Sequence, residues 1–566
     1  MSVPRFGRRA SALFVLLAAI AIALPAGALA KPPDTFTLQV LDVSDRHGQL
    51  DPLSGVGGAS TLSTYFKHDR AGHVGPTLTL TAGDDVGATP ALSSFFQDVP
   101  AIKAERLMGI QVSTLGNHNF DAGLSQLQMQ IDMARDKKLG IGAPFDYVSA
   151  NLKNRNQNIK HVNDYQIFTY NGVQVAVIGV TNEEAPTLNF PGVFGTIEVT
   201  DSVAAAMAAR TAAAAEGADV FIAITHKGVE TFDTSGAPHG PIVDFANAVT
   251  GFDLIYGDHT DVQYTGVING QRVVENRSKG VTYAKTMITI DRLAAHATGV
   301  ANEFVTPTSA AVTPDAAIET MLAPYRTQLS ALLDDPIGVA VTKFARGGNI
   351  ERRQEVPLGD LIADGMRWRY GTQIAYMNGG GVRAPLPTSY LPADHTLRRE
   401  TLGYAVGPPY DLVKGDVYTV LPFGNQVLTR TVTGHQLWLM LENGVSKIDG
   451  SGNGADGRFP QISGFKFTFR YSIPSGCAGV PWSCVVSRVQ SVALTDGTTI
   501  PDDGTTYTMA TINFINAGGD SYYMLADGQG TTQDLDANVM LAYMQQTGPN
   551  FDPASYPAGD RITKIP

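Results

Sequence analysis

The sequence predicts an α/β protein with two domains behind an export signal. From residue 35 onward, short β-rich runs alternate with helical stretches, as in a sheet whose strands are connected by helices. The chain has 566 residues, which is more than one domain usually contains. Polar turns follow several of the apolar runs, where open α/β sheets place their ligand sites.

The first domain is assigned to residues 31–335 and the second to residues 336–566. The strand candidates of the first domain are Thr35–Leu41, Thr77–Thr81, Val175–Val180, Val220–Thr225 and Asp253–Tyr256. Its helix candidates are the alanine-rich Val203–Glu216 and the stretch Pro314–Leu333, which has a start signal at Thr313-Pro314-Asp315. A new series of strands begins at Val339–Val341, followed by a helix at Leu358–Arg367. The Gly-rich stretch Asp449–Gly457 is expected to be a mobile surface loop without a function.

Residues 1–30 have the features of a cleaved export signal. Arg5, Arg8 and Arg9 precede the apolar run Ala12–Leu24, and Ala28-Leu29-Ala30 fits a cleavage site. The alternative is a membrane anchor, but the apolar run has 13 residues, fewer than the roughly 20 that a span requires. We therefore expect a periplasmic, cell-surface or extracellular protein without a transmembrane segment after cleavage.

Export also affects the interpretation of Cys477 and Cys484, the two cysteines of the chain. An oxidising compartment favours a local disulfide between them, and two free thiols are the alternative. The net charge of −12 argues against a nucleic acid polymer or an anionic membrane as the main partner. The sequence does not indicate an oligomeric state.

Five short segments carry the residues that are suited to metal chemistry, and four of them immediately follow a strand candidate. They are Asp45-Arg46-His47-Gly48, Gly83-Asp84, Gly116-Asn117-His118-Asn119-Phe120-Asp121, His226-Lys227-Gly228 and Gly257-Asp258-His259-Thr260-Asp261. Asp, His and Asn ligands without thiolates suit divalent ions such as Zn, Mn or Fe. A carboxylate at Asp84 could bridge two ions. Each segment alone is a weak signal, but the ordered set is strong.

The set resembles the secreted 5′-nucleotidase family. The resemblance extends to further motifs: Ser149-Ala150-Asn151-Leu152, Asn378-Gly379-Gly380-Gly381-Val382-Arg383, Leu421-Pro422-Phe423-Gly424-Asn425 and the stretch from Asn513-Phe514 to Gly518-Gly519-Asp520. It implies an N-terminal four-layer α/β/β/α metallophosphoesterase domain of the calcineurin type. A helix would join it to a C-terminal α/β substrate-binding domain.

The resemblance also implies two divalent metal ions, such as Zn, Mn or Co. One ion would be bound by Asp45, His47, Asp84 and Asp261, and the other by Asp84, Asn117, His226 and His259. His118 and Asp121 match the catalytic dyad of the family. Asp261 departs from the family, which usually has His here and sometimes Gln or Asn, and a carboxylate would favour a harder metal than zinc. Asn119 stands where the family has Glu.

In the second domain, the resemblance assigns substrate contacts. Arg352 and Arg383 match positions that bind the phosphate or adjoining groups, and Phe423 and Phe514 match the pair that sandwiches the base. The remaining substrate residues are Asn378, Asp520 and Asn425.

The implied protein is a metallophosphatase that removes phosphate from nucleoside 5′-monophosphates. Hydrolysis of 2′,3′-cyclic nucleotides or nucleotide sugars at the same site is an alternative, and the related sulfur-compound hydrolases share the metal domain. A non-catalytic ligand carrier on the same scaffold is the alternative of a different class. If the family architecture holds, we expect a hinge around residues 325–345 to rotate one domain against the other.

Overall fold

The computed structural model describes residues 34–472 and 487–566. The predicted export signal and the predicted bridge between Cys477 and Cys484 lie outside these residues. Within the described ranges, no helix combines the length and the apolar composition that a membrane crossing requires.

Two sheets pack face to face in the first part of the chain. In spatial order, the seven-stranded sheet consists of His296–Val305, Tyr283–Asp291, Thr35–Asp42, Thr77–Thr81, Val112–Thr114, Asp146–Val148 and Val162–Asn163. The six-stranded sheet consists of Tyr264–Ile268, Gln271–Glu275, Leu254–Gly257, Val220–Thr225, Val173–Val180 and Tyr165–Tyr170. One apolar core lies between them and contains side chains of both sheets, such as Leu38 and Val177.

Helices cover the outer faces of both sheets. The core on the outside of the first sheet contains side chains of four helices, Ala59–Gly72, Val99–Met108, Gly123–Arg135 and Ala316–Leu333. The core on the outside of the second sheet contains side chains of two helices, Ser202–Ala215 and Pro241–Ala248. Successive strand side chains point to opposite faces, so Val177 enters the central core whereas Ile178 enters the outer one. The expected four-layer α/β/β/α fold is thereby confirmed.

The second part of the chain is also α/β. Its five-stranded sheet has the order Pro460–Ser463, Ile374–Asn378, Thr506–Ile512, Gln426–Thr433 and Thr531–Leu535. Two three-stranded sheets flank it, formed by Tyr410–Val413, Pro336–Ala340 and Asn550–Phe551 and by Val489–Leu494, Phe465–Arg470 and Ile562–Ile565. The main helices are Pro357–Tyr370, Lys414–Val420, Gly434–Val445 and Asp536–Thr547. These elements share one core.

The predicted strands and helices of the first domain are confirmed with small shifts at their ends. The helix predicted at Pro314–Leu333 begins at Ala316, because the carboxylate of Asp315 accepts a hydrogen bond from Ala317 N at 3.1 Å and caps the first turn. Pro324 lies inside this helix.

The surface-loop prediction for Asp449–Gly457 is wrong at its carboxyl end. Gly457 O accepts a hydrogen bond from Gly380 N at 2.8 Å, and Ala455, Asp456 and Gly457 line the main cavity. A Cβ atom on Gly380 would lie 3.0 Å from Gly457 Cα, so glycine is needed there for a close backbone approach and not for flexibility.

Candidate metal centre and substrate cavity

The candidate metal ligands lie on loops that follow neighbouring strands of the two sheets. Asp45 and His47 follow Thr35–Asp42, and Asp84 follows Thr77–Thr81. Asn117 follows the adjacent strand Val112–Thr114, while His226 and His259 follow strands of the second sheet. Because these strands run parallel, their carboxyl ends meet at one edge of the sheets.

Asp84 is central to the candidate metal centre. Its Oδ2 atom lies 2.9 Å from His226 Nε2, and His226 Nε2 lies 3.1 Å from His259 Nδ1. Ligand atoms of Asp84, His226 and His259 lie within 4.8 Å of one another, as do those of His47, Asp84 and His118. The two groups overlap at Asp84, and the one with His47 also contains His118, which the sequence analysis assigns to the catalytic dyad and not to a metal ion.

The donor atoms at this edge fit divalent ions. Asn117 Oδ1 is buried and has no hydrogen-bond partner among the described residues, and the buried Asp45 Oδ1 lies 3.1 Å from His47 Nε2. Buried oxygens of this kind need an ion, a water or another partner. Burial opposes ionisation of Asp84, but His226 and His118 more than compensate, so the pKa of Asp84 lies well below its ordinary value. The site therefore provides an ionised oxygen donor beside imidazole nitrogens.

The backbone of these loops adopts an uncommon conformation. Asp45, His47, Asp84, His259 and Asp261 have φ angles of 53°, 48°, 45°, 90° and 57°. Residues other than glycine rarely adopt a positive φ angle, and each such residue costs of order 1–3 kcal/mol of stability. Such residues cluster at functional sites, where the surrounding structure enforces them.

Asp261 is oriented differently from the other predicted ligands. Its Oδ1 atom accepts hydrogen bonds from the backbone N and the Oγ of Ser278 at 3.0 and 2.9 Å. Arg277 also pairs with its carboxylate at 3.3 Å. Neither of the two groups of candidate ligand atoms includes Asp261.

The predicted dyad is formed. His118 Nδ1 lies 2.9 Å from Asp121 Oδ2, and Asp121 Oδ2 also accepts a hydrogen bond from Ala88 N at 3.0 Å. Burial lowers the pKa of His118 well below its ordinary value, and Asp84 only partly offsets this. Since Nδ1 is directed to Asp121, the ring must gain a second proton, on Nε2, before it can donate to a substrate.

A cavity of about 560 Å³ lies beside the metal loops. Its walls include Asn117, His118, Asp121 and His259 on one side. The opposite side contains all seven predicted substrate residues, namely Arg352, Asn378, Arg383, Phe423, Asn425, Phe514 and Asp520. The structure thus brings the two predicted sets of residues to a single cavity.

Arg383 and Phe423 connect the two sides of this cavity. Arg383 Nη2 lies 3.4 Å from His47 Nε2, and the Arg383 guanidinium lies 5.6 Å from the centre of the Phe423 ring. The rings of Phe423 and His118 are stacked, with centres 5.8 Å apart. Burial, together with Arg352 and Arg346, lowers the pKa of Arg383 to about 9. An anion would relieve this concentration of positive charge.

Asp520 and Asn378 form the polar end of the cavity. Asn378 Nδ2 donates to Asp520 Oδ2 at 2.7 Å, and Asn378 Oδ1 is buried without a partner among the described residues. Burial raises the pKa of Asp520 to about 7, and Asp456 adds to this effect. These side chains can both donate and accept hydrogen bonds.

Sequence reasoning missed two further cations near Arg383. Arg346 pairs with Glu351 at 2.9 Å and donates to Val382 O at 2.6 Å. Lys279 donates from Nζ to Arg383 O at 2.8 Å, and its backbone N donates to Asp45 O at 2.8 Å. Lys279 is distant in sequence from Arg383 and belongs to no motif, so only the tertiary structure reveals this link.

The C-terminal part of the chain matches the family model described as 5′-nucleotidase, C-terminal domain, over residues 336–527. The chain is 26% identical to Endonuclease YhcR of Bacillus subtilis over 94% of its own length, but it spans only 41% of that relative. It is 24% identical to Protein UshA of Yersinia enterocolitica, covering 97% of this chain and 98% of that protein.

The fold is also similar to a solved structure. The 5′-nucleotidase precursor from Thermus thermophilus superposes with a TM-score of 0.76 at 25% identity, covering 94% of this chain and 99% of that chain. The similarity extends over both α/β parts described above, and the family model covers much of the second part. Residues 336–527 thus match the C-terminal domain of 5′-nucleotidases, and the whole chain is similar in fold to a solved 5′-nucleotidase precursor.

Proposed function

We propose that this chain is an exported, metal-dependent hydrolase that removes phosphate from nucleoside 5′-monophosphates. The observation that carries the proposal is the single cavity of about 560 Å³ that joins the metal loops to a polar and aromatic pocket. Residues 31–335 would hold the metal ions, and residues 336–566 would hold the nucleotide. The name of the Thermus relative, a 5′-nucleotidase precursor, supports this substrate class.

Two sets of side chains would hold the ions. The first is Asp45, His47, Asp84 and Asp261, and the second is Asp84, Asn117, His226 and His259. Two bound divalent ions would activate a water and neutralise negative charge on the phosphate. The unpartnered oxygen of Asn117 and the buried contact between Asp45 and His47 support this assignment. Asp261 contacts Ser278 and Arg277, so its inclusion in the first set rests only on its position in the sequence motif.

His118 would act on the reacting phosphate as an acid or as a hydrogen-bond donor. With Nδ1 directed to Asp121 at 2.9 Å, its Nε2 is available to the substrate. A proton transferred from an imidazolium at this position would go to the leaving oxygen. Asp121 would fix the orientation of the ring and stabilise its charged form.

The remaining residues would bind the nucleotide. Arg352 and Arg383 would make charge-assisted hydrogen bonds to the phosphate. Phe423 and Phe514 would stack on the base, which is worth about 1–3 kcal/mol and tolerates different bases. Asn378, Asp520 and Asn425 would hydrogen-bond the ribose and the base.

The proposal of export rests on residues 1–30, which have a positively charged start, an apolar run and a cleavage site of small residues. One relative, of which the chain covers 67%, has the name Cell wall protein Lmo0130. The N-terminal sequence of the protein recovered outside the cytoplasm would test cleavage after Ala30.

Phosphate release from AMP, measured with added Mn, Zn or Co, tests the activity. Asp84→Ala and His118→Ala should abolish or strongly reduce it, whereas Asp132→Ala and His435→Ala, at exposed positions away from the cavity, should not. A panel with 2′,3′-cyclic nucleotides and nucleotide sugars separates the alternative substrates. Binding of nucleotide without hydrolysis, whatever metal is added, would favour the carrier function.

A further inference from the structure

The segment Asn182–Asn189 contacts three of the loops that carry candidate ligands. Glu183 forms an ion pair with Lys227, the residue after His226. Glu184 Oε1 lies 3.3 Å from His259 Nε2. Asn189 donates from Nδ2 to the carbonyl of Asn117 at 2.9 Å. The segment therefore braces the loops of three candidate ligands, Asn117, His226 and His259.

Two of the imidazoles of the candidate metal centre have a backbone acceptor beside one nitrogen. His47 Nδ1 lies 3.0 Å from Gly87 O, and His226 Nδ1 lies 3.3 Å from Ala82 O. A carbonyl oxygen can only accept, so both rings carry a proton on Nδ1, and a metal ion would meet these two rings at Nε2. Backbone atoms thus fix which nitrogen of these two histidines is left for a metal ion.

His259 has the opposite arrangement and depends on a side chain. Its Nδ1 atom lies 3.1 Å from His226 Nε2, so Nδ1 faces the group around Asp84. Its Nε2 atom faces the carboxylate of Glu184. A carboxylate stabilises a proton on Nε2, which leaves the lone pair on Nδ1. The lone pair of His259 Nδ1 then faces His226 Nε2 at 3.1 Å, and Asp84 Oδ2 lies 2.9 Å from the same Nε2, so three ligand atoms converge where a cation would bind.

We propose that Glu184 is a positioning residue, which holds His259 in the tautomer and the orientation that a metal ion requires. This inference rests on the metal centre of the proposed function. The helix Ala185–Leu188, which follows Glu184 directly, packs against the turn Gly519–Ser521 that carries Asp520. The same segment therefore contacts both a metal ligand and the nucleotide pocket.

Calorimetric titration of the metal-free protein with Mn²⁺ tests this role. The native protein should bind two equivalents. Glu184→Ala should lower the affinity for one of these two Mn²⁺ ions by about 10- to 100-fold, as is typical when the hydrogen-bond partner of a ligating histidine is removed. Glu184→Gln, whose amide oxygen still accepts from Nε2–H, should retain most of the affinity. Glu198→Ala is the matched control, because Glu198 is exposed and pairs with Lys153 and Asn154 at the surface.

A second readout does not involve the metal. In ¹⁵N-histidine spectra of the metal-free protein, His259 should be protonated at Nε2, and Glu184→Ala should shift it toward the other tautomer. The His259→Gln spectrum identifies its signals.

Unchanged binding of both Mn²⁺ equivalents by Glu184→Ala would overturn the role of Glu184, as would equal losses in the Ala and Gln variants. A native protein that binds no Mn²⁺ would instead overturn the metal centre itself, and the role of Glu184 with it.

Discussion

Asn119 donates a hydrogen bond from Nδ2 to Oδ1 of Asp85 at 2.6 Å, in the interior directly behind the metal loops. Oδ1 of Asn119 accepts from the backbone N of Gly116 at 2.9 Å and of Asp84 at 3.2 Å. The hydroxyl of Tyr147 donates to the other carboxylate oxygen of Asp85. The amide of Asn119 therefore connects the loop of Asp84 to the loop of Asn117.

The first prediction concerns this pair. Asn119→Asp keeps the acceptor but replaces the donor with a carboxylate oxygen beside Asp85, so we expect a loss of about 2–4 kcal/mol of stability. Denaturant unfolding measures it. Asp85→Asn combined with Asn119→Asp restores a donor opposite a carboxylate and should recover much of the loss. If the double variant were no more stable than the single one, the two residues would not be coupled.

The second prediction concerns Arg383, which lies over His47. Arg383→Lys keeps the charge but loses the planar, two-pronged donor geometry, so kcat/KM for AMP should fall by about 10- to 100-fold. Steady-state kinetics measures this fall. Arg369→Lys is the control, because Arg369 is half-exposed and pairs with Asp534 at the surface. Equal kinetics for Arg383→Lys and the native protein would remove Arg383 from the phosphate site.

The third prediction concerns Phe423. Phe423→Ala should raise KM for nucleoside monophosphates by about 5- to 150-fold, because the stacking of the base is lost. The KM for p-nitrophenyl phosphate, which lacks a nucleobase, should change less. Phe232→Ala is the control at an exposed phenylalanine outside the cavity. Parallel increases for both substrates would indicate that Phe423 acts through His118, on which it stacks, and not through the base.

The fourth prediction concerns the pH dependence of stability at Asp520. Its pKa of about 7 lies above the ordinary value of about 4, so the native state binds this proton more tightly than the unfolded state does. Its contribution to stability is therefore present below pH 4 and is lost as the pH rises through 7. Asp520→Asn does not titrate and keeps an oxygen that can accept from Asn378.

Thermal melts from about pH 4 to about pH 8 check this expectation. The melting temperature of the Asp520→Asn variant, relative to that of the native protein, should rise as the pH increases across this range. Asp132→Asn, at an exposed position, should show no such trend. A pH-independent difference between Asp520→Asn and the native protein would mean that the pKa of Asp520 is the same in the folded and unfolded states.

The sequence predicted much of the site because its signals are local. Asp45, Asp84 and His226 each follow a strand whose apolar pattern is clear, and the carboxyl ends of parallel strands converge. Arg346, Lys279 and Glu184 act through contacts that only the packing of distant segments creates, so no spacing in the chain indicated them.

Composition was misleading at Asp449–Gly457, because a Cβ atom on Gly454 would lie 2.0 Å from Lys447 O, so glycine there permits a close backbone approach. The sequence also did not predict side-chain orientations, and one example is the carboxylate of Asp261, which is directed toward Ser278. The hinge around residues 325–345 and the roles of the site residues stay predictions.

The left-handed backbone at five of the seven candidate ligands has a consequence for how this protein can change over evolutionary time. Glycine would occupy these positions at lower energy, so part of the stability of the fold is given up to present carboxylates and imidazoles. A chain selected only for heat resistance should therefore lose ligands such as His259 early. None of the five positions lies in the second part of the chain, so these substitutions would remove candidate ligands while every side chain of that part stayed in place.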